Sequence, residues 1–282
     1  MVERLCVLGA GTMGQGIAYA GLVAGCRTRL YDPSLDALDR ARVHIDRTLQ
    51  QAVSLGKLPA DAPPAALARL SLHDSLEDAA GAAEFVIEAA PEQLALKLAL
   101  LSRVDGVAPD SAILATNTSA LSITELATAL RDARRLGGMH FFNPVQKMKL
   151  VEIVRGLETS EETLAGIESL AREMGKETVL VRESPGFVTS RVNALIGNEA
   201  FYMLQEGVAS ARDIDRALKL GLNHPMGPFE LVDLVGLDTR LGVLEFLHKS
   251  LGDKYRPCPL LVQYVKAGRL GKKVGRGVYE YI

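Results

Sequence analysis

Apolar positions follow two different patterns along this chain. Residues 5–8 form a short unbroken apolar run, followed by a helical pattern over 12–24 and a second short run over 28–31. Runs this short, bounded by turn residues, predict strands buried on both faces. Over 35–55 the apolar residues Leu38, Ile45, Leu49 and Val53 share one face, which predicts a long amphipathic helix. Strands are predicted again over 85–87, 112–114 and 136–140, with helices over 92–104 and 123–130 between them. The proline-rich stretch 58–64 reads as a loop. Two late strands, 150–154 and 178–181, flank a helix over 161–174. Strands alternating with helices predict an α/β domain, a doubly wound and mostly parallel sheet covered on both faces.

The pattern changes after Val181. Ser184-Pro185-Gly186 punctuates the chain, and everything beyond reads as helix. The helix predicted over 188–205 stops at Gly207. Ser210 and Asp213 open the next in the manner of a capping box, and it stops at Gly221. Two more helices are predicted over 228–235 and 241–251. The expected organisation is therefore an α/β domain over 1–183 and a smaller all-helical domain over 184–282.

Composition narrows the function classes. Lys plus Arg is 32, Asp plus Glu is 34, and the net charge is −2. Neither nucleic acid nor an anionic membrane surface is an expected partner, since both call for excess positive charge. With 48% hydrophobic and 23% charged residues the chain is an ordinary globular one. No apolar run is long enough to span a bilayer, and no signal-like stretch opens the sequence. Cys6, Cys26 and Cys258 are far apart with no CxxC, so no metal site is expected and a reducing, cytoplasmic setting is.

Gly9-Ala10-Gly11-Thr12-Met13-Gly14 fits G-x-G-x-x-G. The match gains weight from context: it follows a strand, opens a helix, and is followed by a second strand ending in Asp32. Gly9 serves the tight turn, Gly11 lets backbone approach a pyrophosphate, and Gly14 lets helix and strand pack closely. Thr12 and Met13 lie where a helix offers unpaired N–H groups to phosphate. Asp32 can accept from both ribose hydroxyls and repels a 2′-phosphate, which favours NAD over NADP. The motif alone admits FAD as well.

Candidate chemistry clusters where later strands end. Asn117 and Ser119 follow one strand; His140 and Asn143 close the next. Hydride transfer from an alcohol needs a proton acceptor beside the carbinol oxygen, and imidazole titrates in the right range. Glu152 sits in the apolar run Leu150-Val151-Glu152-Ile153-Val154, a costly place for an acid unless it is paired. A His140–Glu152 dyad is the expectation, with His224 as a second choice and His44, His73 and His248 taken as structural. Ser119 reads equally well as a helix cap.

The segments GAGTMGQGIA, FVIEAAPEQLALK, ATNTSALSI, HFFNPVQKMKLVEIV, SPGFVTSR, MGPFELVDLVGLD and GKKVGRGVYEY together resemble the (S)-3-hydroxyacyl-CoA dehydrogenases, in family order and over essentially the whole chain. The resemblance implies a Rossmann-like domain and a helical domain that dimerises. It also implies NAD-linked interconversion of an (S)-3-hydroxyacyl-CoA and its 3-ketoacyl-CoA, with a short-chain substrate such as 3-hydroxybutyryl-CoA expected from the likeness to the short bacterial members. It implies His140 as general base, Glu152 as its partner and Ser119 on the substrate oxygen. Asp32, Glu92, Lys97, Asn117, Ser119, Asn143 and Lys273 fall near NAD, and Thr48 falls at a CoA-contacting position. Many members carry asparagine where this chain has Ser190, and Asn193, one turn on, is a candidate substitute. The alternatives are a dehydrogenase of free hydroxy or sugar acids, a non-catalytic NAD-binding relative, and an imine or phosphogluconate-type reductase, which would be expected to use a lysine acid.

Overall fold

Residues 2–281 are described by the computed structural model, and their contacts divide the chain after Glu183 into two units. In chain order the first unit reads β1 (Arg4–Leu8), α1 (Thr12–Val23), β2 (Arg27–Tyr31), α2 (Leu35–Ser54), α3 (Ala62–Leu67), β3 (Leu70–His73), α4 (Leu76–Ala80), β4 (Phe85–Glu88), α5 (Leu94–Val107), β5 (Ile113–Thr116), α6 (Ile123–Ala127), β6 (Leu136–Phe141), β7 (Leu150–Arg155), α7 (Glu161–Glu173) and β8 (Glu177–Arg182). The strands form one eight-stranded sheet in the order β3-β2-β1-β4-β5-β6-β7-β8. Every neighbouring pair is parallel except β6 and β7. The chain winds outward from β1 in one direction through β2 and β3, and in the other from β4 onward. The crevice at the carboxyl ends of β1 and β4 is thus a topological switch point, where such sheets take ligands.

Local sequence explains the elements. In β1, Leu5, Cys6, Val7 and Leu8 are all fully buried. Helix α1 packs through small residues, with Gly14, Gly16, Ala18, Ala20 and Gly21 on its buried side. Helix α2 is capped by Ser34, whose side chain accepts from the Ala37 N–H, and Leu38, Ile45 and Leu49 reach the core. The loop expected over 58–64 is corrected in part: α3 begins at Ala62. Its Pro63 and Pro64 occupy the first turn, where a missing N–H costs nothing. Strand β3 went unread because it is a short edge strand, only half buried.

The second unit contains α8 (Thr189–Gln205), α9 (Ala211–Gly221), α10 (Pro228–Val235), α11 (Leu237–Leu251) and α12 (Pro259–Lys266). Helix α11 starts four residues before the predicted 241, since Gly236 turns the chain at φ 108° straight into it. Phe201 sits edge-on to Phe229 and Tyr264, with centroids 5.2 and 5.7 Å away, at the heart of the core with Leu244, Leu247 and Tyr255. Two buried carboxylates moor the C-terminal segment. Asp233 accepts from Val278 N–H, Tyr279 N–H and Tyr281 O–H, and Asp215 accepts from Tyr279 O–H as well as Phe229 and Glu230 N–H.

Candidate active site

The glycine turn is shaped by three different constraints. Gly9 has φ 103°, and a Cβ there would lie 2.8 Å from the Ala89 carbonyl oxygen. A Cβ on Gly14 would lie 1.7 Å from the Gly9 carbonyl oxygen, so only glycine lets α1 start this close to β1. Gly11 differs: a Cβ there would meet no protein atom within 4 Å. The space above Gly11 is open and borders a helix start with no side-chain cap and no acidic residue in its first turn. The amino-terminal N–H groups of α1 have no intrahelical acceptors, and the first bond of the ladder runs from Gln15 N–H to Gly11. An uncapped helix end beneath open space suits a phosphate-bearing group.

Asp32 follows β2 directly, beside this turn. Its carboxylate accepts from Ala10 N–H at 2.9 Å and Ser34 N–H at 3.0 Å, and Gly9 N–H donates to the Tyr31 carbonyl at 2.7 Å. Asp32 is therefore fixed to the glycine turn and keeps lone pairs for diol hydroxyls. These residues fit a dinucleotide cofactor. Cys6, inside β1, is not a competing nucleophile, because burial pushes its thiol up to about 12 against the opposing charge of Arg29.

His140 and Glu152 are direct partners in the antiparallel β6–β7 register. The Nδ1 of His140 lies 2.7 Å from Glu152 Oε2. Glu152 is wholly buried, and His140 is 6% exposed with the Phe142 ring 4.5 Å from its own. A carboxylate can only accept, so this bond puts the proton on Nδ1 and leaves Nε2 as the basic nitrogen.

The loop after β5 carries the other candidates. Asn117 Oδ1 accepts from the Phe141 N–H at 2.8 Å, tying the β5 end to the residue after His140. Glu92 gathers the loop: its Oε1 accepts from Thr118 Oγ1 at 2.6 Å, Ser119 N–H at 2.9 Å, Ser119 Oγ at 3.2 Å and Ala120 N–H at 3.2 Å. Ser119 is not the helix cap, since Ser122 caps α6 by accepting from Glu125 N–H. Lys97 is fully buried, and its ammonium donates to both oxygens of Glu88, at 2.8 and 2.9 Å, and to the Ala90 carbonyl at 3.1 Å. It also lies 3.6 Å from Glu92. Asn143 is exposed on the turn after β6.

The remaining candidates are carried by other elements. Thr48 faces the core of the first unit and gives its hydroxyl to the His44 carbonyl at 2.8 Å, so the exposed face of α2 does not present it. Ser190 and Asn193 are on the opening turns of α8, and Lys273 pairs with Asp238 at 2.6 Å, all within the second unit. Sequence reasoning missed Glu88, which also accepts from Thr116 Oγ1 and Ala90 N–H, both at 2.6 Å. An acid closing the apolar strand Phe85–Glu88 was the available signal, the same one that exposed Glu152. Among the described residues, no group of three or more metal-ligating side chains occurs, and no helix is long and apolar enough to cross a membrane.

Comparison with known proteins places this geometry. The NAD-binding domain of 3-hydroxyacyl-CoA dehydrogenases matches residues 4–184, and the C-terminal domain of the same enzymes matches 186–281. The chain is 47% identical to a probable 3-hydroxybutyryl-CoA dehydrogenase of Bacillus subtilis, over 99% of this chain and 98% of that protein. It is 41% identical to the 3-hydroxybutyryl-CoA dehydrogenase of Bradyrhizobium diazoefficiens, over 100% of this chain and 96% of that one. The crystal structure of (S)-3-hydroxybutyryl-CoA dehydrogenase PaaH1 from Ralstonia eutropha superposes with a TM-score of 0.96 at 44% identity, covering all of both chains. With a Rossmann-like NAD-binding unit and a helical second unit, both matched, the chain belongs to the 3-hydroxyacyl-CoA dehydrogenase family.

Proposed function

We propose that this protein is an NAD-dependent (S)-3-hydroxyacyl-CoA dehydrogenase acting on short acyl chains such as 3-hydroxybutyryl-CoA. The observation that carries the reading is the His140–Glu152 pair, a base with one nitrogen committed to a buried carboxylate. Bound NAD supplies the hydride acceptor. Nε2 of His140 takes the proton from the C3 hydroxyl, and the resulting imidazolium is stabilised by Glu152 across the 2.7 Å bond. In the reductive direction the same imidazolium polarises the ketone and returns the proton. Ser119 is held by Glu92 at its N–H, at 2.9 Å, and at its hydroxyl, at 3.2 Å, and that hydroxyl turns to the substrate oxygen when substrate binds. Glu92, Lys97, Asn117 and Asn143 organise or border the cofactor side, and Asp32 selects NAD over NADP.

Ser190 and Asn193 are assigned to the substrate carbonyl and Lys273 to the cofactor, on the strength of the motif positions alone. Thr48 supports the CoA arm only through packing of α2. The relatives' names support the thioester substrate. The helical unit is assigned to homodimerisation, and three free, buried cysteines suit a reducing cytoplasm.

The test is NADH oxidation with acetoacetyl-CoA, with NADPH and free acetoacetate as controls. Turnover with NADH and the thioester is expected, with little in either control. Turnover of free acetoacetate alone would overturn the substrate assignment, and equal rates with NADPH would overturn the role of Asp32.

A further inference from the structure

Gly16 lies one turn beyond the phosphate-binding end of α1, where no tight turn or positive φ calls for glycine. Glycine inside a helix costs about 1 kcal/mol relative to alanine. What needs it is a contact. A Cβ on Gly16 would lie 2.8 Å from both Cβ and Cγ2 of Val145. Val145 is 2% exposed and stands two residues after Asn143 and five after His140. Carbon atoms pack at about 3.5–4.0 Å, so a methyl at position 16 would push the Val145 segment away from α1 by roughly 1 Å. The Val145 side cannot yield freely. The ammonium of Lys176 donates to the carbonyls of Val145 and Met148, the latter at 2.9 Å, and Val145 is set in the core with Met139 and Phe141.

We propose that Gly16 is a positioning residue of the active site. By admitting Val145 against α1, it sets where the turn carrying Asn143 meets the cofactor-binding helix, with Lys176 as the brace on the other side. The proposal rests on the assignment of α1 to NAD and of the 140–143 segment to the reaction. The working motif is then G-x-G-x-x-G-x-G, its last glycine answering to a protein side chain where Gly11 answers to open space.

The test is a pair of variants read by NADH fluorescence titration and by kinetics. Gly16→Ala is expected to weaken NADH about tenfold. A displacement of this size near the chemistry can cost about 10²-fold in kcat/KM. Val145→Gly removes both clashing carbons and leaves only Cα, at 3.8 Å. The double variant Gly16→Ala/Val145→Gly is therefore expected to bind NADH better than Gly16→Ala, although its thermal stability stays low. Wild-type affinity in Gly16→Ala, or a double variant no better than the single one, overturns the proposal. Should Gly16→Ala not fold, Lys176→Met tests the same brace, and NADH affinity within twofold of wild type then overturns it. The titration reads the contact even where the thioester is not turned over, so failure of the proposed reaction and failure of this inference remain separate results.

Discussion

Two buried acids, Glu88 and Glu152, end up in nearly the same setting with opposite consequences. Each stands on an apolar strand of the same sheet, and each is wholly inaccessible to solvent. Glu88 meets a lysine that is equally inaccessible, together with the Thr116 hydroxyl and the Ala90 N–H. Both its oxygens and all three Lys97 protons are engaged, so the pair has nothing left to exchange with a substrate. Glu152 meets a histidine, whose ring carries a second nitrogen besides the one bonded to the acid. A buried carboxylate marks a costly decision by the fold; the partner decides whether that cost serves structure or chemistry.

Removing the imidazole should have the largest effect. His140→Ala is expected to lower kcat toward 10⁴-fold, the upper end of about 10²–10⁴-fold for general acid–base catalysis. NADH affinity should change little, while the Glu152 carboxylate, left without its imidazole, should lower thermal stability. Near-normal turnover would remove the distinction between the two acids, because His140 would then be as structural as Lys97.

The next effect falls on the other pair and in a different observable. Lys97→Met leaves the Glu88 carboxylate buried without its cation, a loss that generally costs about 3–5 kcal/mol of stability. Denaturant unfolding should report it, and Lys97→Met/Glu88→Gln should recover part of it by removing the stranded charge. Lys97 also lies 3.6 Å from Glu92, so some loosening of the Ser119 loop should accompany the change. A stability loss under 1 kcal/mol would mean that Glu88 is not held by its cation.

Glu152→Gln tests the comparison from within the catalytic pair. Glutamine still offers an oxygen to Nδ1–H but no charge to the imidazolium. Hydrogen bonds to charged groups are worth about 1.5–3 kcal/mol, so kcat should fall roughly 10- to 10²-fold while folding is retained. A loss of folding with unchanged kcat in the surviving fraction would class Glu152 with Glu88.

The same contrast explains what was legible in the sequence. The Rossmann-like unit was readable because its strands are short apolar runs and its glycines punctuate them. The His140–Glu152 pair was readable because an acid within Leu150–Arg155 has to be paired and one histidine ended the neighbouring run. Glu88 closes its strand in the same way, but its partner lies nine residues on in a helix, and a lysine there passes for a solvated side chain. Gly16 was hidden for a similar reason: Val145, which requires it, is 129 positions away, and local propensity carries no trace of such a contact. Helix α3 was hidden by its own prolines, read as breakers when they occupy its first turn.

A third buried acid offers the mildest test, since it has neither a cation nor an imidazole. Asp215 is held by two N–H groups and the Tyr279 hydroxyl, all neutral. Burial lifts its carboxyl above the ordinary range, and those three hydrogen bonds offset only part of the rise. A carboxyl raised in the folded state binds its proton more tightly there than when unfolded. Its contribution to stability is therefore fully present below the ordinary aspartate value of about 3.9 and is lost as pH rises through the raised one. Asp215→Asn cannot titrate, although its amide presents a donor among donors and should destabilise the helical unit at every pH. The melting-temperature deficit of Asp215→Asn against wild type should accordingly be greatest in acid and narrow as pH climbs out of the carboxylate range. A deficit that stays constant would show that the fold favours neither form of Asp215; one that widens would show that it is favoured as the anion, and would set it beside Glu88 as an acid fully satisfied by its donors.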